Sequence, residues 1–343
     1  MQRLLNTLYV TTPDAYLARE GETIEVRVDG ETRLRLPIHT VGSIVCFSRI
    51  GCSPALLGLC GERGVSLAFL TPNGRFLARL HGPVSGNVLL RREQYRRADD
   101  PCASALLARS VIAAKVANSR SVLQRGARDR PDDASAEALR MAAAGLARLL
   151  RKLDGVSGLD QLRGYEGEAA KTYFSVFDHL IRAQKEAFFF RKRSRRPPLD
   201  NMNALLSFLY TLLLHDVASA LEAVGLDPAV GYLHRDRPGR PSLALDLLEE
   251  LRPALADRVA LTLVNRQQIK AGGFECSEAG SVMMDEPTRK QVLVAWQERK
   301  QETLQHPFLD EKITVGLVPH VQALLLARCL RGDLDAYPAM IWK

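Results

Sequence analysis

Glu166 occupies a position where a carboxylate needs a reason to be. Leu159, Leu162, Glu166, Ala169, Tyr173, Val176 and Leu180 recur at steps of three and four residues, the spacing of one helix face, so Glu166 projects from an otherwise apolar stripe. An ionised carboxylate turned inward without a partner would rather take up a proton. The position therefore calls for a buried base, a neutralised acid or a metal ion. Two later features favour the metal. His234 lies in the Gly/Pro-rich loop GYLHRDRPGRP, and directly behind it SLALDLLEEL carries Asp246, Glu249 and Glu250. An imidazole with carboxylates suits Mg²⁺ or Mn²⁺, with the remaining positions left to water and substrate.

The elements that must position these groups are helices. Pro241 fixes the start of the acidic helix and Pro253 its end. Asp246 and Glu249, three residues apart, project about 60° from each other around the axis. The apolar stripe of Leu243, Ala244, Leu247, Leu248 and Leu251 lies on the other side. Either acid can reach a loop histidine one turn earlier, and Glu250 is a third option. Each feature alone has a bland reading: an acidic helix face is commonly solvated, a loop histidine incidental, and Glu166 could pair with an arginine. The conjunction is stronger than its parts.

At 343 residues and 46% hydrophobic content, the chain exceeds one compact core and suits two domains. Over residues 1–85, turn signals separate short apolar or β-branched runs: LLNTLYV, AYLA, TIEVRV, TRLRLPI, VGSIVCF, VSLAFL and RFLARL. Turns are expected at Glu20-Gly21-Glu22, Asp29-Gly30 and Pro72-Asn73-Gly74, with Asp29-Gly30 joining TIEVRV to TRLRL as a hairpin. SPALLGLCGERG reads as a helix crossing between strands. From about Leu89 the pattern is helical, broken at ARDRPDD and DGVSG, with no further strand-like run. NALLSFLYTLLLHDVASALEAVG ends on a glycine C-cap, Gly225, followed by Asp227-Pro228. Further helices are expected over roughly 242–252, 257–270, 287–304 and 314–331. The fold class is α+β: a small N-terminal β-sheet or β-sandwich domain (1–85), then a larger all-α catalytic domain (86–343).

The net charge of +8 is unevenly spread: +2 over residues 1–85, +10 over 86–198 and −4 over 199–343. A positive middle third is the electrostatic signature of an anionic partner such as nucleic acid or a membrane surface. Within it, Arg191, Lys192, Arg193, Arg195 and Arg196 crowd a proline-ended linker that could grip phosphates or simply be solvated. Cys46, Cys52, Cys60, Cys102, Cys276 and Cys329 form no C-x-x-C pair, so the thiols read as reduced, buried and cytoplasmic. No leader and no uninterrupted apolar run of about 18 residues supports secretion or a membrane span. P-loop, dinucleotide-binding, G-x-S-x-G and H-E-x-x-H motifs are absent. His215, on an apolar helix, reads as a satisfied core histidine. His39, His81, His179, His306 and His320 lack acidic or cysteine companions at ligand spacing.

The segments GYEGEAAKTYF, NALLSFLYTLLLHDVASALEAVGLDPAVGYLH and RPGRPSLALDLLEELRP resemble the CRISPR-associated adaptation endonuclease/integrase family, the larger of the two spacer-capturing proteins. The motifs span roughly residues 160–270, and the order of β domain then helical domain agrees over the whole length. The resemblance implies a metal-dependent enzyme acting on double-stranded and branched DNA, as a homodimer with a small ferredoxin-like partner. The small β domain is the natural place for the dimer contact. The resemblance also implies that Glu166, His234 and Glu249 are the metal ligands, with Asp246 as an alternative or supporting acid. A divalent ion there would polarise the scissile phosphate while a 3′-hydroxyl or water attacks in line. His234 must be neutral to ligate. Two other readings compete: a non-catalytic DNA-binding scaffold, in which Glu166 pairs with arginine, and a metal-dependent phosphoesterase acting on a small substrate.

Overall fold

The computed structural model describes residues 6–72, 74–82, 88–129, 134–156 and 158–342. Asn73 of the expected third turn and parts of the breaks at ARDRPDD and DGVSG lie outside these residues. All seven anticipated runs form strands: β1 (Asn6–Val10), β2 (Tyr16–Glu20), β3 (Thr23–Val28), β4 (Glu31–Pro37), β5 (Val41–Phe47), β7 (Ser66–Leu70) and β8 (Phe76–Arg79). They are joined by a two-residue β6 (Gly51–Cys52) and by helix α1 (Pro54–Arg63), the SPALLGLCGERG segment. Asp29 and Gly30 both take positive φ, 53° and 81°, the primed turn that a two-residue hairpin requires. Its arms β3 and β4 pair antiparallel with Val28 opposite Glu31.

Two four-stranded sheets result, ordered β1-β5-β7-β8 and β4-β3-β2-β6. Leu17, Ile24, Ile44, Leu67 and the α1 residues Leu56 and Leu59 are fully buried in their shared core. The opposite face of the first sheet offers Val45, Phe47 and Leu70 to the helices, where Phe47 lies 5.6 Å from the ring of Phe208.

The helical part begins with α2 (Val88–Asp99) and α3 (Pro101–Arg128). Asp100 caps α3 by accepting from the Cys102 and Ala103 amides, and Pro101 occupies the first turn, where its missing N–H costs nothing. This 28-residue helix is the axis of the domain. Against it pack α4 (Ala134–Leu153), α5 (Leu159–Ser175) and α7 (Ser242–Leu251). Helix α6 (Asn201–Val224) is capped by Asp200 and stopped by Gly225 at φ 92°, as expected. Its length and composition would allow it to cross a membrane, but 67% of its most apolar window is buried inside the protein, as in a core helix.

Two expectations are corrected and one is refined. The second domain is not all-α: β9 (Phe274–Cys276) pairs with β10 (Val282–Met284), and β11 (Thr303–Gln305) with β12 (Lys312–Thr314). Three-residue strands are too short to show a period of two. Helix α7 ends at Leu251, just ahead of Pro253 as expected, but the helical path runs on past it. Lacking an N–H, it converts the path to a π-helical turn, Pro253–Asp257, with Asp257 N donating to Arg252 O, and α8 (Arg258–Asn265) follows directly. The cysteines are all free, but Cys102 and Cys276 are exposed rather than buried. Two helices complete the fold, α9 (Glu286–Gln301) and α10 (Val318–Arg331).

Candidate active site

The stripe that singled out Glu166 is real: Leu162, Ala169 and Tyr173 of α5 are buried, and so is Leu180 beyond it. Glu166 itself is 28% exposed, on α5 where that helix packs against α3. Its partner is a base that the sequence reading missed. Lys115 of α3, with 7% of its side chain exposed, directs its ammonium at Glu166 Oε1 and stands 2.7 Å from Glu249 Oε2. Lys115 was findable by the criterion that found Glu166, because it interrupts the buried stripe of Ala108, Val111, Asn118 and Val122 on α3.

The loop carrying His234 is pinned at both ends. Fully buried Gln94 of α2 donates to the carbonyls of Asp227 (2.8 Å) and Val230 (2.9 Å) and accepts from the Asp227 amide. On the α5 side, Arg163 Nε donates to Leu233 O at 2.8 Å, and Asp160 takes Arg235. Between these points the backbone presses onto the start of α7. A Cβ on Gly231 would lie 2.7 Å from the Ser242 carbonyl carbon and 2.8 Å from Asp246 Oδ2, so only glycine fits.

That approach lets one carboxylate organise the loop. Asp246 Oδ2 accepts from the amides of Tyr232 (2.6 Å) and Leu233 (3.0 Å), while Oδ1 accepts from the His234 amide (3.0 Å) and meets His234 Nδ1 at 2.6 Å. A carboxylate already receiving three N–H groups can only accept, so Nδ1 carries the proton in that contact. In the neutral ring, Nε2 then keeps its lone pair. Nε2 faces Glu249 Oε1 at 4.0 Å. Asp246 has no oxygen left for another ligand, and it acts on His234 rather than beside it.

Glu249 is buried, and burial alone would raise its carboxyl. Arg252 and Lys115 outweigh that and hold it at about 2. Both cations sit on Oε2, which leaves Oε1 open toward the histidine. Arg252 is also fixed from behind, 5.0 Å over the Tyr210 ring. Glu250 points the other way. Its carboxylate accepts from Tyr337 Oη (2.6 Å), Gln322 Nε2 (3.2 Å) and the Met340 amide (2.9 Å), and burial pushes it up to about 7. The bland reading of a solvated acidic face does not hold, since Asp246, Glu249 and Glu250 are all buried. Their partners lie on elements distant in sequence.

Of the five basic linker residues, Arg191, Lys192, Arg195 and Arg196 are exposed. Arg193 is not available to a ligand, because its guanidinium donates to Asn203 Oδ1 (2.7 Å) and Ser207 Oγ (3.0 Å) and lies over Tyr210. His215 is buried as expected but not satisfied. Its Nε2 has no partner, and burial lowers its pKa to about 4. His81, expected to lack an acidic companion, meets Glu222 at 3.2 Å.

Two hard carboxylates and one imidazole nitrogen suit Mg²⁺ or Mn²⁺ chemically. The 4.0 Å between His234 Nε2 and Glu249 Oε1 is too long for a hydrogen bond. It falls within the roughly 4.2 Å that two ligands of one ion can span at about 2.1 Å each. Glu166 joins them only through Lys115. As the side chains stand, no three His, Cys, Asp or Glu groups among the described residues are close enough to share an ion.

Two small N-terminal sheets leading into a mainly helical region make a fold shared with solved Cas1 structures. The structure of a CAS1 protein from Thermotoga maritima matches with a TM-score of 0.83 at 24% identity, covering 97% of this chain and 99% of that one. A casposase bound to integration product matches in fold at 0.85 and 21% identity, covering 99% and 95%. The family model for CRISPR associated protein Cas1 matches residues 8–298. CRISPR-associated endonuclease Cas1 1 of Chlorobaculum tepidum is 52% identical over 343 residues, 100% of both chains. The chain belongs to the Cas1 family.

Proposed function

We propose that this protein is a metal-dependent DNA endonuclease and integrase of CRISPR adaptation, which inserts spacer DNA through 3′-hydroxyl attack on a phosphodiester. The observation that carries the reading is the approach of His234 Nε2 to Glu249 Oε1, with Glu166 tied to Glu249 through Lys115 and Asp246 fixing the imidazole. Glu166, His234 and Glu249 would hold the Mg²⁺ or Mn²⁺, which when bound supplies Lewis-acid stabilisation to the scissile phosphate and its leaving oxygen. The chain's own residues prepare the site. Asp246 sets the tautomer that keeps Nε2 free, Gln94 and Arg163 hold the loop, and Arg252 keeps Glu249 ionised beside its partners. Arg191, Lys192, Arg195 and Arg196 supply exposed charge for the DNA backbone.

Within this reading the protein works as a homodimer with a small ferredoxin-like partner. Exposed Phe76 and Leu77 on the edge strand β8 support a dimer contact through the β domain. The ion pair between Lys115 and Glu166 favours a second reading, a non-catalytic DNA scaffold whose inward acid is simply neutralised. The experiment that separates them incubates the protein and its partner with a short duplex and a supercoiled repeat-bearing plasmid, with Mn²⁺ or with chelator. Metal-dependent joining that disappears in Glu166→Ala and His234→Ala, with DNA binding retained, is the expected result. Equal loss of binding and joining would defeat the assignment.

A further inference from the structure

Lys115 is the one group at the site whose position competes with the proposed chemistry. We infer that its ammonium is a built-in counter-cation, holding the place between Glu166 and Glu249 that a divalent ion takes, and that the ion enters by displacing it. The inference rests on the metal-site reading above. Among the described residues, Lys115 is the one partner of the Glu166 carboxylate and one of two cations on Glu249 Oε2. Lys115 is 6% exposed, on the face of α3 that also carries buried Ala108 and Val111, so it is a buried cation rather than a solvated one. Buried ions are costly unless paired, and here the pairing serves both sides. The ammonium is neutralised, and two carboxylates that would otherwise repel are kept facing one point.

The two cations of the site differ in kind. Arg252 is locked by stacking on Tyr210 and by its position one turn after Glu249 on the helical path. It keeps Glu249 compensated whatever Lys115 does. Lys115 ends in a compact charge on a flexible four-carbon stem, which can swing aside as a planar, forked guanidinium cannot. When it swings, the Glu166 carboxylate is freed on one side of Glu249, while Glu249 Oε1 on the other still faces His234 Nε2 at 4.0 Å. Lys115 thus preserves the shape of the site without metal and weakens metal affinity by the strength of the contacts the ion must break.

The test is Mn²⁺ titration calorimetry at fixed pH, with thermal melts in Mn²⁺ and in chelator, on the full chain and on Lys115→Met, Lys115→Arg and Glu166→Ala. Lys115→Met is expected to bind Mn²⁺ about tenfold or more tightly than the unaltered protein, because no ammonium must leave. It should also melt lower in chelator and gain more from Mn²⁺. Lys115→Arg, which keeps the charge on a bulkier head, is expected to bind Mn²⁺ more weakly than lysine does, and it decides the matter if the methionine variant fails to fold. Unchanged or weaker Mn²⁺ affinity in Lys115→Met, or unchanged affinity in Lys115→Arg, would overturn the inference while a site lost in Glu166→Ala leaves the metal reading standing. Absence of any Mn²⁺ site sensitive to Glu166→Ala would overturn both.

Discussion

Replacing Asp246 by asparagine tests the organisation of the site with the smallest possible change of shape. The carboxylate accepts four hydrogen bonds, two on each oxygen, and is 2% exposed. An amide substitutes an NH₂ for one oxygen, so whichever way it is turned two N–H donors of the loop, or one amide and the imidazole, meet another donor. Hydrogen bonds to a charged group contribute about 1.5–3 kcal/mol each, so two of them give about 3–6 kcal/mol. Removing a buried charge offsets part of that, which makes the lower end, about 3 kcal/mol, the working value. For a helical domain of this size that is a fall in melting temperature of about 5 °C. Metal affinity should fall by about 10–100-fold, the usual effect of losing a group that orients a ligating histidine. Scanning calorimetry, Mn²⁺ titration and the joining assay read the three quantities. An Asp246→Asn protein that melts within about 1 °C of the original and keeps its Mn²⁺ affinity would refute the claim that Asp246 positions His234.

Two further outcomes follow from the same geometry. Gly231→Ala adds a methyl group 2.7 Å from the Ser242 carbonyl carbon and 2.9 Å from Leu243 N, against backbone that cannot yield cheaply. It should destabilise the protein by about 2 kcal/mol and depress joining, as measured by denaturant titration and by the plasmid assay. Glu250, raised by burial to about 7 from 4.5, stays protonated in the fold at pH values where the unfolded chain has released that proton. Its contribution to stability therefore falls as pH rises from about 4.5 to about 7 and is flat above, a change of about 3 kcal/mol. Melts across that window should show the slope in the original protein and lose it in Glu250→Gln.

Much of this was legible because local rules and the fold agree. Alternating strands bounded by turn residues gave the β domain, and the Asp29-Gly30 hairpin followed from the need for two positive φ angles. Glu166 was legible as a charge in an apolar stripe. The sequence did not reveal where buried polar groups find partners when those partners lie far along the chain. Three adjacent acids could not be told apart from sequence, because periodicity cannot foresee Tyr337, Gln322 and Met340 closing over Glu250. Pro253 was legible as the end of α7 because its missing N–H breaks an α-helical ladder, but that the chain absorbs the break in a π turn was not.

Adjacent residues Glu249 and Glu250 face opposite ways, and what fixes that division is α3. Lys115 and Asn118 stand three residues apart on that helix, so they share a face. Lys115 receives Glu249, while Asn118 Nδ2 donates to Glu250 O (2.7 Å) and Met340 O (2.8 Å) and its Oδ1 accepts from the Trp342 amide (2.7 Å). Residues 337–342 are thereby clamped onto α7, and their Tyr337 and Met340 capture the Glu250 side chain. One residue along a helix is a turn of about 100°, so a slip of α7 by a single position would bring Glu250 toward His234 and bury Glu249 among groups that do not match it. The clamp on Glu250 is therefore part of what aims Glu249. Changes at Asn118 or Tyr337 should be felt at the His234–Glu249 pair although neither residue touches it.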